Sequence, residues 1–473
     1  MDQFENNNVS RPVNPRRRRR TKMDIFKESY LPVIIIGAAL IFILITIIGS
    51  AVQSSKRKQQ KAQSSPQTAS VSSEEKDPLI AEAAKLITEA DALAADYYYD
   101  GAIDKIQSFS GKISDYPDLM TAFQKYCDLK ANAVIWDDPS KVLNLSFQML
   151  IVDPIRAFSD PENKSSYNKN FVTVDEFKII LDQLYEGGYV LVSTKDMVVQ
   201  NADGSFQANT IYLPEGKKPL IITQNQVNYY EYMIDSNDDH LPDKGGAGFA
   251  SKLIVDENGK LLNEYVDKNG NTLTGEYDLV PILNSFIETH PDFSYQGAKA
   301  IISVSGYEGL FGYRTQPDAK SWLKDNYNKE VDGAKKVAEA LRNDGFEIAC
   351  YTYDNISYGK YNLDTIRQDL NSWKNEVTPI LGQVDIFVFA QENDLTQNTP
   401  YSGDIFNAMM DAGFRYYFGF CQNGKLYADV QTNYFRQARI MVKGYSLKYE
   451  SGIFKGILKP VEILSSTRGT IPQ

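Results

Sequence analysis

The chain has 473 residues and a formal net charge of −11, from 61 acidic and 50 basic side chains. Residues 1–62 hold 12 Lys and Arg against 4 Asp and Glu, a charge of +8, so the remainder carries −19. We call the region beyond residue 62 the body of the protein. A body this acidic is repelled by phosphate groups, which excludes nucleic acid and anionic lipid surfaces as its partners.

An uncharged apolar segment follows the basic N-terminus. Leu31–Val52 spans 22 residues, about 33 Å as a helix, which is enough to cross a bilayer. Most of the nearby basic residues precede it, including the run 16–20, so we expect the N-terminus in the cytoplasm and the body outside the cell. RNA binding by that run and a cleavable signal peptide are the alternatives; the length of the segment favours an uncleaved anchor. This predicts a cytoplasmic basic tail at 1–30, a transmembrane helix at 31–52 and a flexible linker at 53–76.

A small all-helical module is predicted at 77–138. Asp77-Pro78 is a typical helix start, and apolar residues then recur at helical spacing from Leu79 to Tyr97. Two further helices are expected around 102–106 and 119–126. The module resembles one or two tetratricopeptide units, too few for a solenoid. It is interpreted as a packing spacer, with a partner-binding scaffold as the alternative.

From residue 142 onward the pattern becomes helix, glycine, short apolar strand. Thr173 and Glu176 form a capping box at the start of one such helix. Helices that alternate with buried strands predict an α/β fold with a parallel sheet, either open or closed into a (β/α) barrel, over 142–470. The acidic stretch 235–278 interrupts it, with one or two hairpins that turn at Asn258-Gly259 and Asn269-Gly270.

One buried strand of this region ends in a run of amides. Pro219–Thr223 is continuously apolar up to its last residue, and Gln224, Asn225 and Gln226 follow. Strands of a parallel sheet usually present their reactive groups at the C-terminal end. Here that end carries neutral side chains that are poor bases and poor metal ligands.

Three longer motifs resemble the polysaccharide deacetylase family (NodB homology, carbohydrate esterase family 4), in its membrane-anchored Gram-positive type. They are NYYEYM at 228–233, HPDFSYQGAKA at 290–300 and GYEGLFGYRT at 306–315. The resemblance implies a distorted (β/α) barrel that hydrolyses acetamido groups of glycans. In that family a divalent metal such as zinc is held by one Asp and two His, a second Asp is the base, and a further His is the acid.

Carried over residue by residue, the resemblance places neutral side chains at these positions. The base position is Asn225, and the three metal-ligand positions are Gln226, Tyr351 and Asn355. The motif that shapes the acetyl pocket falls on 390–392, and a late family Asp falls on Lys443. We therefore expect no bound metal, no cofactor and no hydrolysis; a working N-acetylglucosamine deacetylase with an atypical site is the alternative.

The whole chain has two histidines, His240 and His290, 50 residues apart and neither in a pair with ligand spacing. His240 lies in a polar loop and is expected to be solvated, and His290 is expected to cap a helix or hold a structural hydrogen bond. A replacement site for a hard cation such as calcium would have to use the carboxylates of Asp354, Glu392 and Asp394. Solvation at the surface is the ordinary interpretation of those three residues.

Aromatic and amide side chains are suited to binding neutral sugars, because tyrosine rings stack on the apolar faces of sugars and amides bond their hydroxyls. The expected partner is therefore cell-wall glycan or peptidoglycan, with regulation of an active deacetylase paralogue as a related hypothesis. The predicted groove contacts are Tyr229, Tyr230, Tyr307, Tyr313, Arg314 and Tyr353.

Overall fold

The structure, a computed structural model, describes residues 78–396, 399–421 and 426–473. The predicted tail, membrane helix and linker lie outside these residues. Within the described part of the chain, no helix combines the length and the apolar composition that crossing a bilayer requires. The α-helices of the described residues are α1 (Pro78–Ala95), α2 (Tyr99–Gln107), α3 (Pro117–Ala131), α4 (Pro154–Ser159), α5 (Lys164–Asn170), α6 (Val174–Glu186), α7 (Thr194–Met197), α8 (Glu231–Ile234), α9 (Leu279–Thr289), α10 (Lys320–Leu323), α11 (Tyr327–Asn343), α12 (Leu363–Ser372), α13 (Thr378–Leu381), α14 (Asp404–Asp411), α15 (Gly444–Tyr449) and α16 (Pro460–Ile463).

The strands fall into one large sheet and three small ones. They are β1 (Val134–Trp136), β2 (Leu143–Phe147), β3 (Tyr189–Leu191), β4 (Val198–Gln200), β5 (Phe206–Ala208), β6 (Ile211–Leu213), β7 (Lys218–Gln224), β8 (Lys252–Val255), β9 (Leu261–Val266), β10 (Thr272–Gly275), β11 (Ile301–Val304), β12 (Glu347–Cys350), β13 (Ile386–Val388), β14 (Tyr416–Phe420), β15 (Ala428–Val430) and β16 (Phe435–Met441). Strands β8, β9 and β10 pair antiparallel through the turns at 258–259 and 269–270 and so form two hairpins, where the sequence pattern predicted one or two.

Seven parallel strands close into a barrel in the order β7, β11, β12, β13, β14, β16, β2 and back to β7. Strand β7 makes the closure possible because it divides one of its edges between two neighbours. Residues 218–220 pair with β3, and Thr223 and Gln224 pair with β11. The prediction of a parallel sheet is thereby confirmed in its barrel form. All seven strands end at the same mouth, where parallel barrels place their functional groups.

Side chains alternate between two apolar layers along each barrel strand. Ile221, Ile301 and Val388 belong to the cluster inside the barrel. Their neighbours Ile222 and Ile302 belong to the larger cluster between the barrel and its helices. The period of two follows from the pleat of a strand. It also directs Asn225, two residues beyond Thr223, into the top of the barrel.

The C-terminal segment is fixed to the barrel by a buried ion pair. Thr173 and Glu176 form the predicted capping box of α6. The Glu176 carboxylate also lies 2.6 Å from Arg468 Nη2, and both side chains are 1% exposed. A capping residue of one helix therefore also neutralises an arginine that is 292 residues away in the chain.

The helices α1, α2 and α3 share an apolar cluster of their own. They contact the barrel through Tyr97, whose hydroxyl donates to the Asp292 carbonyl at 2.7 Å and whose ring stacks on Tyr295 with centroids 6.1 Å apart. The helical module therefore packs directly against the β/α region.

Candidate functional site

The amide of Asn225 is held inside the barrel mouth. The residue is fully buried, and its backbone N–H donates to the Phe147 carbonyl at 2.8 Å. Its side-chain Nδ2 donates to Ser146 Oγ at 3.1 Å, and its Oδ1 accepts from Arg439 Nη1 at 2.7 Å. The position that the family resemblance assigns to the base is therefore occupied by an amide with both ends hydrogen-bonded.

Arg439 is a buried cation at the centre of this network. It lies on β16 and is 1% exposed. Besides Asn225 it donates to Ser146 Oγ at 2.8 Å, to the Gly419 carbonyl at 3.2 Å and to the Phe389 carbonyl at 3.1 Å. Among the described residues it forms no ion pair, and the acceptors of its hydrogen bonds are all neutral, while the carboxylates of Glu392 and Asp394 act on it from further away. Burial lowers the pKa of Arg439 to about 10, and the guanidinium therefore stays charged near neutral pH.

Gln226 is hydrogen-bonded to a tyrosine at the mouth of the barrel. It adopts a positive φ of 55°, and its Nε2 donates to the Tyr230 hydroxyl at 3.3 Å. The same hydroxyl lies 2.8 Å from Ser305 Oγ, at the end of β11. The amide at the first ligand position is thus part of a neutral network that joins β7 and β11.

Tyr351 and Asn355 both contact the loop that follows β13. The buried Tyr351 hydroxyl accepts from the Gln391 backbone N–H at 3.2 Å. The Asn355 carbonyl accepts from Gln391 Nε2 at 2.8 Å. Burial raises the pKa of Tyr351, which disfavours the phenolate that a metal would need.

These residues do not fit the divalent metal of the deacetylase family. The three ligand positions hold an amide, a phenol and another amide, which are weak donors beside imidazole and carboxylate. A charged guanidinium lies 2.7 Å from the amide at the base position and repels a second cation. In the portions of the chain that the structure describes, no three His, Cys, Asp or Glu side chains come together as a metal site.

The carboxylates considered for a replacement cation site have separate roles. Glu392 forms an ion pair with Lys443. Asp394 is buried and accepts hydrogen bonds from Tyr401 and Tyr427, and burial raises its pKa. Asp354 is exposed. The structure therefore does not gather these three carboxylates around one centre.

Five of the six predicted groove contacts are engaged within the fold, and the buried Tyr230 described above is one of them. Tyr229 is buried and donates to Asp278, and Arg314 is buried with its Nε 3.3 Å from Glu231 Oε1. Tyr313 and Tyr353 are half-buried. The Lys252 ammonium lies 4.4 Å from the ring centroid of Tyr313, and the Tyr353 hydroxyl donates to the Glu376 carboxylate.

The exposed aromatic surface is formed by Tyr307 and by Tyr232, which was not among the six predicted contacts. Tyr307 is 52% exposed and Tyr232 is 54% exposed. Both rings lie 6.0 Å from the ring of Tyr230, which is buried between them and the mouth. We call Tyr232 and Tyr307 the tyrosine platform. The signal for Tyr232 is its place beside Tyr230 in the NYYEYM motif.

Asp278 is a buried carboxyl group that the sequence analysis did not select. It accepts from the Tyr229 hydroxyl at 2.7 Å, from Gln224 Nε2 at 2.6 Å and from the backbone N–H groups of Leu150 and Leu279 at 3.0 and 2.8 Å. Burial raises the pKa of Asp278 to about 6. Its position directly before the apolar helix α9, as the N-cap, was the available sequence signal.

The two histidines have structural partners. His290 ends α9, and its Nδ1 lies 3.1 Å from the Phe286 carbonyl, which confirms the predicted cap. The His240 side chain is 41% exposed, in keeping with the expected polar loop, but it also has partners: its ring stacks on Trp322 at 4.3 Å, and its Nδ1 lies 2.9 Å from Glu231 Oε2. The hydrogen bond to Glu231 raises the pKa of His240.

The closed pairing of the parallel strands establishes the architecture. The chain contains a seven-stranded parallel (β/α) barrel. A scan against models of known families finds no match for it, and a search of curated proteins finds none either. A search of solved structures finds the Streptococcus pyogenes deacetylase PplD in complex with acetate, at 13% identity and a TM-score of 0.33, covering 63% of this chain and 92% of that one. It also finds a 4-alpha-glucanotransferase from Thermococcus litoralis, at 11% identity and a TM-score of 0.22, covering 35% of this chain and 25% of that one.

Proposed function

We propose that the chain is a surface protein with a polysaccharide-deacetylase-type barrel that binds cell-wall glycan without hydrolysing it. Leu31–Val52 would hold it in the membrane, with the barrel outside the cell. The glycan would lie across the mouth, on the tyrosine platform. An active deacetylase paralogue that acts on the same glycan would be regulated by the chain's occupation of that glycan.

The observation that carries the proposal is the hydrogen bond from Arg439 to Asn225. An amide oxygen that accepts from a buried guanidinium has no proton affinity near neutral pH, so it cannot remove a proton from water. The ligand positions beside it also lack the donors that a metal would need. Binding is supported by the platform, because two exposed rings close to a third are suited to stacking on sugar faces.

The double variant Tyr232→Ala/Tyr307→Ala tests glycan binding. Each stacking contact of an aromatic ring contributes about 0.5–1.5 kcal/mol, so losing both is expected to weaken binding about fivefold to 150-fold. The measurement is retention of the full-length chain, solubilised in detergent, on insoluble peptidoglycan across a range of peptidoglycan concentrations.

Tyr98→Ala is the matched control, because Tyr98 is a 42% exposed tyrosine in the helical module. It is expected to bind like the unchanged chain. Absence of retention of the unchanged chain, or equal retention of the double variant, would contradict the proposed function.

A further inference from the structure

The tyrosine platform lies in a negative electrostatic environment. The pKa of the exposed Tyr307 is raised first by the neighbouring Glu308 carboxylate, with burial and then Glu231, Asp354 and Asp318 adding to it. These carboxylates disfavour a phenolate for the same reason that they favour a cation: their field at the ring is negative.

The Glu308 side chain is fixed in place beside the platform. Its Oε2 accepts from the Glu231 backbone N–H at 2.7 Å, and its backbone carbonyl accepts from Arg314 Nη1 at 2.9 Å. The Arg314 guanidinium pairs with the side chain of Glu231 rather than with that of Glu308. Within the described residues Glu308 forms no ion pair. It is half-buried, and burial raises its pKa, while the positive charges of Arg314 and of protonated His240 act on it from further away and lower it.

We infer that the platform with Glu308 selects an amino sugar whose amine is free and protonated, over the acetamido sugar of the same glycan. Tyrosine faces attract an ammonium group, and a carboxylate pairs with it. A neutral acetamide gains neither interaction. A sugar amine resembles an α-amino group, with a pKa of roughly 8, and is charged at mildly acidic and neutral pH.

The inference deepens the proposed function and rests on it, because it names the ligand class of the same surface. The charge of −19 carried beyond residue 62 also favours a cationic ligand over an anionic one. The ligand would be a de-N-acetylated glycan, the kind of product that deacetylation of an acetamido glycan yields. The chain would then bind glycan that another enzyme has already modified.

Calorimetry on the full-length chain in detergent, near pH 6.5, tests this selection. The probes are glucosamine oligomers and the same oligomers after re-N-acetylation, so that the two differ only in the amine. We expect about tenfold tighter binding of the free amine, which corresponds to about 1.4 kcal/mol, since a cation–π contact at an exposed ring and a charge-assisted hydrogen bond to Glu308 act together.

Glu308→Gln is expected to reduce that preference to about twofold and to leave the affinity for the acetylated oligomer unchanged. Glu288→Gln, a change at a carboxylate that is 65% exposed on α9, is the matched control and is expected to keep the preference. If Glu308→Gln does not fold, Tyr307→Ala serves as the second variant and is expected to weaken binding of both oligomers.

The outcomes separate the two proposals. Equal affinity for both oligomers would overturn the selection of the amine and leave glycan binding intact. A preference that survives Glu308→Gln would overturn the role of Glu308. Binding of neither oligomer, together with loss of peptidoglycan retention, would overturn the proposed function itself.

Discussion

Replacing Asn225 with leucine is expected to destabilise the barrel by about 2–4 kcal/mol, because the change leaves a buried guanidinium N–H without its acceptor. Asn225 Oδ1 accepts from Arg439 at 2.7 Å, and the leucine side chain has a similar size but no oxygen. The measurement is the free energy of unfolding in urea near neutral pH, where Arg439 is charged.

Asn225→Asp is the matched control for that substitution. It keeps an oxygen toward Arg439 and adds a countercharge to a cation that has only neutral acceptors, so the free energy of unfolding should be unchanged or higher. A loss in Asn225→Asp as large as in Asn225→Leu would show that the amide is needed for its Nδ2 bond to Ser146 instead.

The buried carboxyl of Asp278 is expected to make stability fall as pH rises from about 4 to about 6. Its pKa is about 6 in the fold and near 3.8 in the unfolded chain. The folded state therefore binds the Asp278 proton more tightly than the unfolded chain does. The stabilisation that this proton contributes is complete below about pH 4 and is lost as the pH rises through about 6. The difference corresponds to roughly 3 kcal/mol.

Asp278→Asn isolates that contribution, because an amide does not titrate. Urea unfolding at pH 4 and at pH 7 gives the free energy of unfolding of the unchanged chain and of the variant. The value for the unchanged chain minus that for the variant should be about 2–3 kcal/mol larger at pH 4 than at pH 7. Other carboxylates cancel in this difference. A difference that is constant with pH, or larger at pH 7, would mean that Asp278 is already ionised in the fold at low pH.

The sequence was sufficient to predict a parallel sheet with helices between its strands, because alternation of helices with short apolar runs is a local pattern. The pattern left open whether the sheet closes, and only the family resemblance implied a closed barrel, because closure depends on how β7 divides its edge. The first half of β7 pairs with β3 and the second half with β11, and this division depends on the positions of strands that are distant in the sequence.

At the site, the neutral character of residues 224–226 was predicted from the run of amides, and the structure places Asn225 and Gln226 at the barrel mouth. The partner of Asn225 was not predictable, since Arg439 is 214 residues away and meets it only when β16 and β2 complete the barrel. Which tyrosines are exposed was also beyond the sequence. Tyr229 turns inward to Asp278, whereas Tyr232 turns outward from the same motif.

Elemental analysis combined with an acetate-release assay on the purified full-length chain tests the central claim most directly. After equilibration with about 1 µM free zinc, a concentration at which three-ligand protein sites fill, we expect well under about 0.1 zinc per chain. We also expect no acetate release from N-acetylglucosamine oligomers, because Asn225, Gln226, Tyr351 and Asn355 supply neither ligands nor a base. One zinc per chain together with acetate release would contradict the account.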